Sequence, residues 1–285
     1  MKRIILFLIY ISLALLVGRN LTFLPKFNFQ SKISQTESLK KEVKEIVDRQ
    51  KGSYSVYYVN YYSGNTFGIN ENQIYKAASV NKVPIIAVLY DLANQGKINL
   101  DDKISIQEND IQDYGTGILR YEKPRGVYSL RTLAKLTLEK SDNTAAHIIN
   151  GKIGTNIIQD TINNWGLKQT SMESNTTSLS DIYILFAKIY KNEIANISLT
   201  KEMLDFMKDT DFEDRLPSLL PDNVSIYHKI GDTIGGVHDV GIIEKGNTAF
   251  FLGVMTSDTE DTEQKTKNAI AKIAKIVYDF EFNNK

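Results

Sequence analysis

The 285-residue sequence has no cysteine, one tryptophan and only five prolines. Absence of cysteine excludes a disulfide framework, a thiol nucleophile and lipid attachment through a thiol. With so few prolines there is no proline-rich linker, and no repeat or low-complexity tract interrupts the chain. Charge of one sign is also lacking: 34 basic and 34 acidic residues cancel. Nothing therefore points to a nucleic-acid footprint or to a strong attraction for anionic membranes. Histidine is scarce. His147, His228 and His238 are too scattered to suggest a metal site, so no metal and no cofactor are expected. His147 reads as core packing on a helix, and His228 and His238 read as braces within strands.

What is present begins with Met1-Lys2-Arg3 and a largely apolar run from Ile4 to Val17. A positive start and an apolar stretch of about 14 residues have the form of an export signal. Gly18-Arg19-Asn20 offers no small-x-small cleavage pattern, so residues 1–20 are expected to be a signal peptide or a short membrane anchor. Residues 21–35 read as a connector, and residues 36–285 as one globular unit. Its first helix is expected over Leu39 to Gln50. Strands are expected over Ser53 to Tyr61 and Thr66 to Ile69, joined through Ser63-Gly64-Asn65. Helices should follow at Val80 to Leu92, Leu130 to Lys140, from Thr144, at Ile157 to Trp165 and at Leu179 to Lys191. Three late strands, including Val224 to Ile230 and Val237 to Ile243, precede a closing helix from Thr262 to Phe280. Strands at both ends and helices between them predict an α+β fold of two lobes. An antiparallel sheet of N- and C-terminal strands, flanked by helices, would stand beside an all-helical lobe with a cleft between them.

Three short elements carry chemistry. Ser79-Val80-Asn81-Lys82 places a hydroxyl and an amine at i and i+3, where a buried lysine of lowered pKa can take the serine proton. Taken alone, four positions with two fixed recur by chance, and a solvated helix start is the plain reading. Ser141-Asp142-Asn143 falls between two helices, and its plain reading is an N-cap. Lys229-Ile230-Gly231 lies at a strand end, where a lysine and a turn glycine are unremarkable. Together, in this order and at domain-scale spacing, the three predict a serine acyl-transfer site.

These elements resemble the S-x-x-K, S-D-N and K-T-G set of the class A β-lactamases and penicillin-binding proteins. The likeness covers roughly residues 36 to 285, through Phe67 to Lys82, Gly115 to Leu119, Tyr128 to Ala146 and His228 to Val240. The resemblance implies that Ser79 is the acylated nucleophile, Lys82 its general base and Ser141 the proton relay to the leaving nitrogen. It further implies that Asn143 binds the substrate amide and that Lys229 attracts a substrate carboxylate. Gly231 completes the third motif, and the backbone N–H groups of Ser79 and Asp232 would form the oxyanion hole. Tyr114 is either an aromatic contact at the cleft edge or part of a glycine turn with Gly115 and Gly117. Gly235-Gly236 is expected to make a hairpin or bulge.

The sequence departs from that family in two places. The stretch from Trp165 to Thr177 is short and lacks E-x-x-L-N, so most of the loop that would carry a deacylating glutamate is missing. Sixty-two residues separate Ser79 from Ser141, but only 88 separate Ser141 from Lys229. Glu173 is the one carboxylate in the stretch, either a substitute deacylation base or a surface charge near a helix start. Ile230 stands where the family has a hydroxyl that helps hold the substrate carboxylate. Losing a hydrogen bond to a charged group costs about 1.5–3 kcal/mol.

The expected function is that of a β-lactamase-like serine hydrolase, acylated at Ser79 by a β-lactam or a D-alanyl peptide and then freed by water. Two alternatives stay open: a D,D-peptidase with slow deacylation, and a non-hydrolytic penicillin-binding or sensor module. The expected partner is a small cell-wall peptide or β-lactam, with no nucleic acid. The N-terminal segment is a candidate membrane tether, the protein is expected to be extracytoplasmic, and a monomer is expected.

Overall fold

The computed structural model describes residues 29–283, with side chains from residue 35. The chain divides into two units, 1–35 and Thr36–Lys285. Residues 1–20, expected to be a signal peptide or anchor, and residues 21–28 of the expected connector lie outside the described residues. Residues 29–35, expected as connector, are instead the first turns of helix α1 (Phe29–Val47). No proline or glycine occurs between Pro25 and Gly52, so nothing in the sequence stops the helix before Leu39. Among the described residues no helix is long and apolar enough to cross a membrane.

In the second unit, β1 (Ser53–Asn60) and β2 (Thr66–Ile69) form the expected hairpin. β7 (Ser225–Thr233), β8 (Gly236–Lys245) and β9 (Thr248–Ser257) join them in an antiparallel sheet of order β2-β1-β9-β8-β7. Two short pairs complete the described strand set: two-residue β3 (Tyr75–Lys76) with β6 (Thr176–Thr177), and three-residue β4 (Lys103–Ser105) with β5 (Val127–Ser129). Both faces of the main sheet are covered, which explains the continuous apolar run Ala249–Met255 in β9. On one face Tyr58, Phe250, Leu252 and Val254 pack with Leu39 and Val43 of α1 and with Ile273 and Val277 of α8 (Glu263–Phe282). On the other, Val240, Ile242, Phe251 and Met255 join the core of the helical lobe.

That lobe is built from α2 (Lys82–Asn94), α3 (Leu130–Glu139), α4 (Asn143–Ile153), α5 (Thr155–Trp165), α6 (Leu179–Tyr190) and α7 (Ile197–Asp205). The helix starts follow local chemistry. Ser129, Asp142, Ser178 and Asn196 each accept a backbone N–H of the first turn. Helix α2 is buried along Lys82–Tyr90 and is the centre of the lobe.

One expected boundary moves in a way that matters for the site. The helix expected over Val80 to Leu92 begins at Lys82, preceded by a 3₁₀ turn over Ala78–Asn81. Pro84 has no N–H to give to the carbonyl of Val80, so α-helical bonding cannot include that turn, whereas proline is tolerated three residues into a new helix. Ser79 thus sits on a tight turn beside Ala78, whose φ is 48°, and Lys82 opens the helix. A non-glycine residue in that left-handed region is strained and typical of sites that fix a side chain for use.

Candidate active site

The turn carrying Ser79 is held from three sides. The N–H of Ala77 donates to the Asn175 carbonyl (2.9 Å). β3 pairs with β6 immediately before the turn. His238 of β8 accepts from the Thr256 N–H at Nδ1 (3.1 Å), which leaves Nε2–H to donate to the Lys76 carbonyl (2.8 Å). Burial lowers the His238 pKa, in keeping with a neutral ring that fastens sheet to turn.

β7 passes this turn closely. A Cβ on Gly231 would stand 2.7 Å from the Ala77 carbonyl and 3.1 Å from Val80 Cγ2, so only glycine permits the approach. β7 is the edge strand and continues past Gly231 to Thr233. There Ile234-Gly235, with Gly235 at φ 72°, turn the chain into β8; Gly236, expected with Gly235 in a hairpin or bulge, is already the first residue of β8, paired with Thr233.

Lys82 is 7% exposed, and its Nζ donates to the Ser141 carbonyl, to Ser141 Oγ (3.2 Å) and to Asn143 Oδ1 (2.6 Å). Burial lowers its pKa to about 7, against a smaller opposing pull from Asp142. Near neutrality a substantial share of the amine is unprotonated and able to accept a proton. From the other lobe Lys229 Nζ donates to the same Ser141 Oγ (2.9 Å) and to the Ile230 carbonyl (3.3 Å). Lys229 is fully buried, and burial first, then the charge of Lys82, holds its pKa well below the usual lysine range. Ser141 itself is buried with φ 52°, a second strained non-glycine residue at the centre of the site.

Asp142 is what fixes this geometry. One oxygen caps α4 through the Ala145 N–H (2.9 Å), while the other accepts the N–H groups of Ile118 (2.7 Å) and Leu119 (2.9 Å). It thereby ties the 115–119 loop to the Ser141 turn. Thr116 Oγ1 donates to the Ser141 carbonyl (2.7 Å), and Asn143 Nδ2 to the Tyr114 carbonyl (2.8 Å).

A cavity of about 630 Å³ lies over these groups, with Ser79, Lys82, Tyr114, Asn143, Ile230 and Asp232 in its wall. Ser141, Lys229 and Gly231 are buried and do not line it. The Tyr114 side chain is 65% exposed and stands at the rim. Glu173 is exposed at the tip of the short turn closed by reciprocal bonds between Ser171 and Thr176, and it is absent from the cavity wall. Met172, its neighbour, is in the wall instead, its N–H held by Gln159 Oε1 (2.8 Å).

Several contributors carry no sequence signal strong enough to find. Asn81, an x position of the first motif, is 4% exposed in the wall. Its Nδ2 reaches the carbonyls of Ser171 (3.4 Å) and Thr176 (3.5 Å), and its Oδ1 has no partner. Arg215 is 1% exposed and pairs with Asp232 through both carboxylate oxygens. Behind Lys229, His228 lies between Asp239 (2.8 Å) and Glu213 (3.2 Å). Burial alone would lower its pKa, but the two carboxylates push it up to about 9.

A serine on a strained turn, two lysines bonded to one serine hydroxyl and a sheet edge across the cleft are the architecture of a serine hydrolase of the penicillin-recognising fold. The chain belongs to the beta-lactamase enzyme family, whose model matches residues 38–280. It is 23% identical to Beta-lactamase VEB-1 of Pseudomonas aeruginosa over 88% of this chain and 92% of that one. Among solved structures, PBP-A is 27% identical with a TM-score of 0.80, covering 87% of this chain and 97% of its own. The TLA-1 extended-spectrum beta-lactamase is 26% identical with a TM-score of 0.81, covering 87% and 99%.

Proposed function

We propose that the protein is acylated at Ser79 by the amide carbonyl of a β-lactam or a D-alanyl peptide, and that water then releases the acyl group. The observation that carries this reading is the shared Ser141 hydroxyl, which receives Lys82 Nζ and Lys229 Nζ from the two lobes. Neutral Lys82 takes the Ser79 proton as Oγ bonds to the carbonyl carbon. The C–N bond then breaks, and the proton passes through Ser141 to the leaving nitrogen. The backbone N–H groups of Ser79 and Asp232 are assigned to the developing oxyanion. In the second half water adds to the ester carbon, its proton goes to a base, and Ser79 Oγ leaves with a proton.

Among the described residues Asp232 is the one carboxylate in the cavity wall and is committed to Arg215. His147, expected as core packing, is instead exposed in that wall on α4. Hydrolysis is assigned to Lys82, whose Nζ is bonded to Ser141 Oγ. A second reading, a peptidase that keeps β-lactams bound for long, is favoured by one observation: the short turn presents Met172 to the cavity, not Glu173. PBP-A, a structural relative, has been captured as a point variant in an acyl-enzyme complex with penicillin G. Action outside the cytoplasm, with the N-terminal apolar run as signal or tether, is part of the proposal and rests on sequence alone.

The test is intact-mass spectrometry of the full chain mixed with penicillin G and followed over time, beside Ser79→Ala. A penicilloyl adduct confined to the unaltered protein supports the reading. Its decay with accumulating product marks a hydrolase, and its persistence marks the peptidase reading. An adduct that survives Ser79→Ala removes Ser79 as the nucleophile.

A further inference from the structure

The β7 side of the cavity is built in a way that bears on which substrates Ser79 can take, and the inference rests on the reading just given. Ile230, Asp232 and Thr233 form that wall. The Asp232 carboxylate is 43% exposed, and its two oxygens are each 2.8 Å from a guanidinium nitrogen of Arg215. Arg215 is 1% exposed and is absent from the cavity wall. Its Nη1 also donates to the His238 carbonyl (2.9 Å) and its Nε to Asp214 (3.2 Å), so all three nitrogens are engaged within the protein. The guanidinium therefore lies beneath Asp232, and the face turned to a ligand is the carboxylate.

The remaining cations do not replace it. Lys229 is buried and outside the cavity wall, with its Nζ on Ser141 Oγ and the Ile230 carbonyl. Lys82 is directed at Ser141 and Asn143, and Lys76 at the Ser174 carbonyl (3.0 Å). Ile230 contributes an aliphatic chain and no donor. An anionic group brought against β7 meets a like charge and an apolar side chain, while an N–H-bearing neutral group meets two carboxylate oxygens with free lone pairs.

We propose that Asp232 is a specificity-determining residue that selects acyl donors bearing a neutral, hydrogen-donating group, a primary carboxamide, where a free carboxylate would otherwise lie against β7. The arrangement is self-complementary: Asp232 occupies the guanidinium that a substrate carboxylate would need. A bidentate arginine–carboxylate pair is among the strongest and most directional of side-chain contacts, and a diffusing carboxylate would have to displace one already covalently in place.

The experiment compares the rate of Ser79 acylation by penicillin G with that by its C3 carboxamide, using intact mass on the full chain. In the unaltered protein the carboxamide should react about tenfold faster, the scale set by one screened like-charge contact. Asp232→Asn keeps an acceptor for Arg215 but removes the charge and one acceptor oxygen, so it should raise the rate with the acid about tenfold and lower the carboxamide rate, closing the gap between the two probes. Asp232→Ser, with thermal melting of both variants, separates a charge effect from a folding defect. The ratio in the unaltered protein needs no variant at all. A faster reaction with the acid in that protein overturns the inference, as does an Asp232→Asn effect equal for both probes. Labelling of Ser79 by a fluorophosphonate with neither β-lactam reacting overturns it too, while leaving the nucleophile in place. No labelling by any of the three removes the acylation reading and this inference with it.

Discussion

Lys229 Nζ donates to Ser141 Oγ at 2.9 Å, joining strand β7 to the α3–α4 junction across 88 positions of sequence. Because Lys82 Nζ reaches the same oxygen, Ser141 is, among the described residues, the one hydroxyl in contact with both amines. Ser141→Ala should therefore slow acylation by about a hundredfold or more, the scale of a lost proton relay. Time-resolved intact mass with penicillin G measures this. A loss below about threefold would mean that protons reach the leaving nitrogen by another route.

The acylation rate should rise with pH through about 7 and then level off. Burial lowers the Lys82 pKa to about 7, so below that value the amine is protonated and cannot accept from Ser79, and above it the free base predominates. Single-turnover acylation across pH 5.5 to 8.5 tests the sign. A rate that falls over that range would exclude the neutral amine as base.

Neighbouring residues on the short turn should behave differently. Glu173→Gln should leave decay of the acyl-enzyme within about twofold, because the Glu173 side chain is exposed and outside the cavity wall. Met172→Glu introduces a carboxylate at a wall position and should speed decay by about tenfold or more, the lower part of the range for a general base. The readout is adduct lifetime by mass. Slow decay in Glu173→Gln alone would reverse the assignment.

His228 links stability to pH. Its pKa is raised from 6.5 to about 9, so its proton stabilises the folded state fully below about pH 6.5, and that contribution fades as pH rises through about 9. His228→Gln removes it. The stability gap between the two proteins, measured by urea unfolding, should be widest at pH 6 and narrow steadily toward pH 9. A gap independent of pH would mean that the ring is neutral in the fold.

Much of this was legible in the sequence. The β2 strand and the α3, α5 and α6 helices stand where periodicity places them, and the antiparallel sheet is assembled from both ends of the chain, as the order of elements implies. The first two motifs sit at element boundaries, as their sequence context implies, whereas Lys229-Ile230-Gly231, expected at a strand end, lies inside β7, which runs on to Thr233. What was missed has physical reasons. The turn under Ser79 is dictated by Pro84, whose missing N–H matters only once helical bonding is traced residue by residue. Arg215 lies among Asp211, Glu213 and Asp214, a stretch that reads as solvated, and its partner is chosen by tertiary packing 17 residues later. Met172 rather than Glu173 lies in the cavity wall within a turn closed by Ser171 and Thr176 and anchored at Met172 N–H by Gln159, a tertiary contact that composition does not encode.

The pairing of β1 with β9, from Ser53↔Ser257 to Asn60↔Phe250, has a consequence for how the chain reaches its native state. During synthesis β1 and β2 exist first as a lone hairpin, which is marginal in water, and wait some 190 residues for the strand that completes them. Contacts of such range make for slow folding. The helical lobe also lacks Phe251 and Met255 from its core until that moment. A ribosome-stalled chain ending before Thr248 should consequently remain open to proteases along its whole length, and release of the last strand should close sheet, lobe and cleft together.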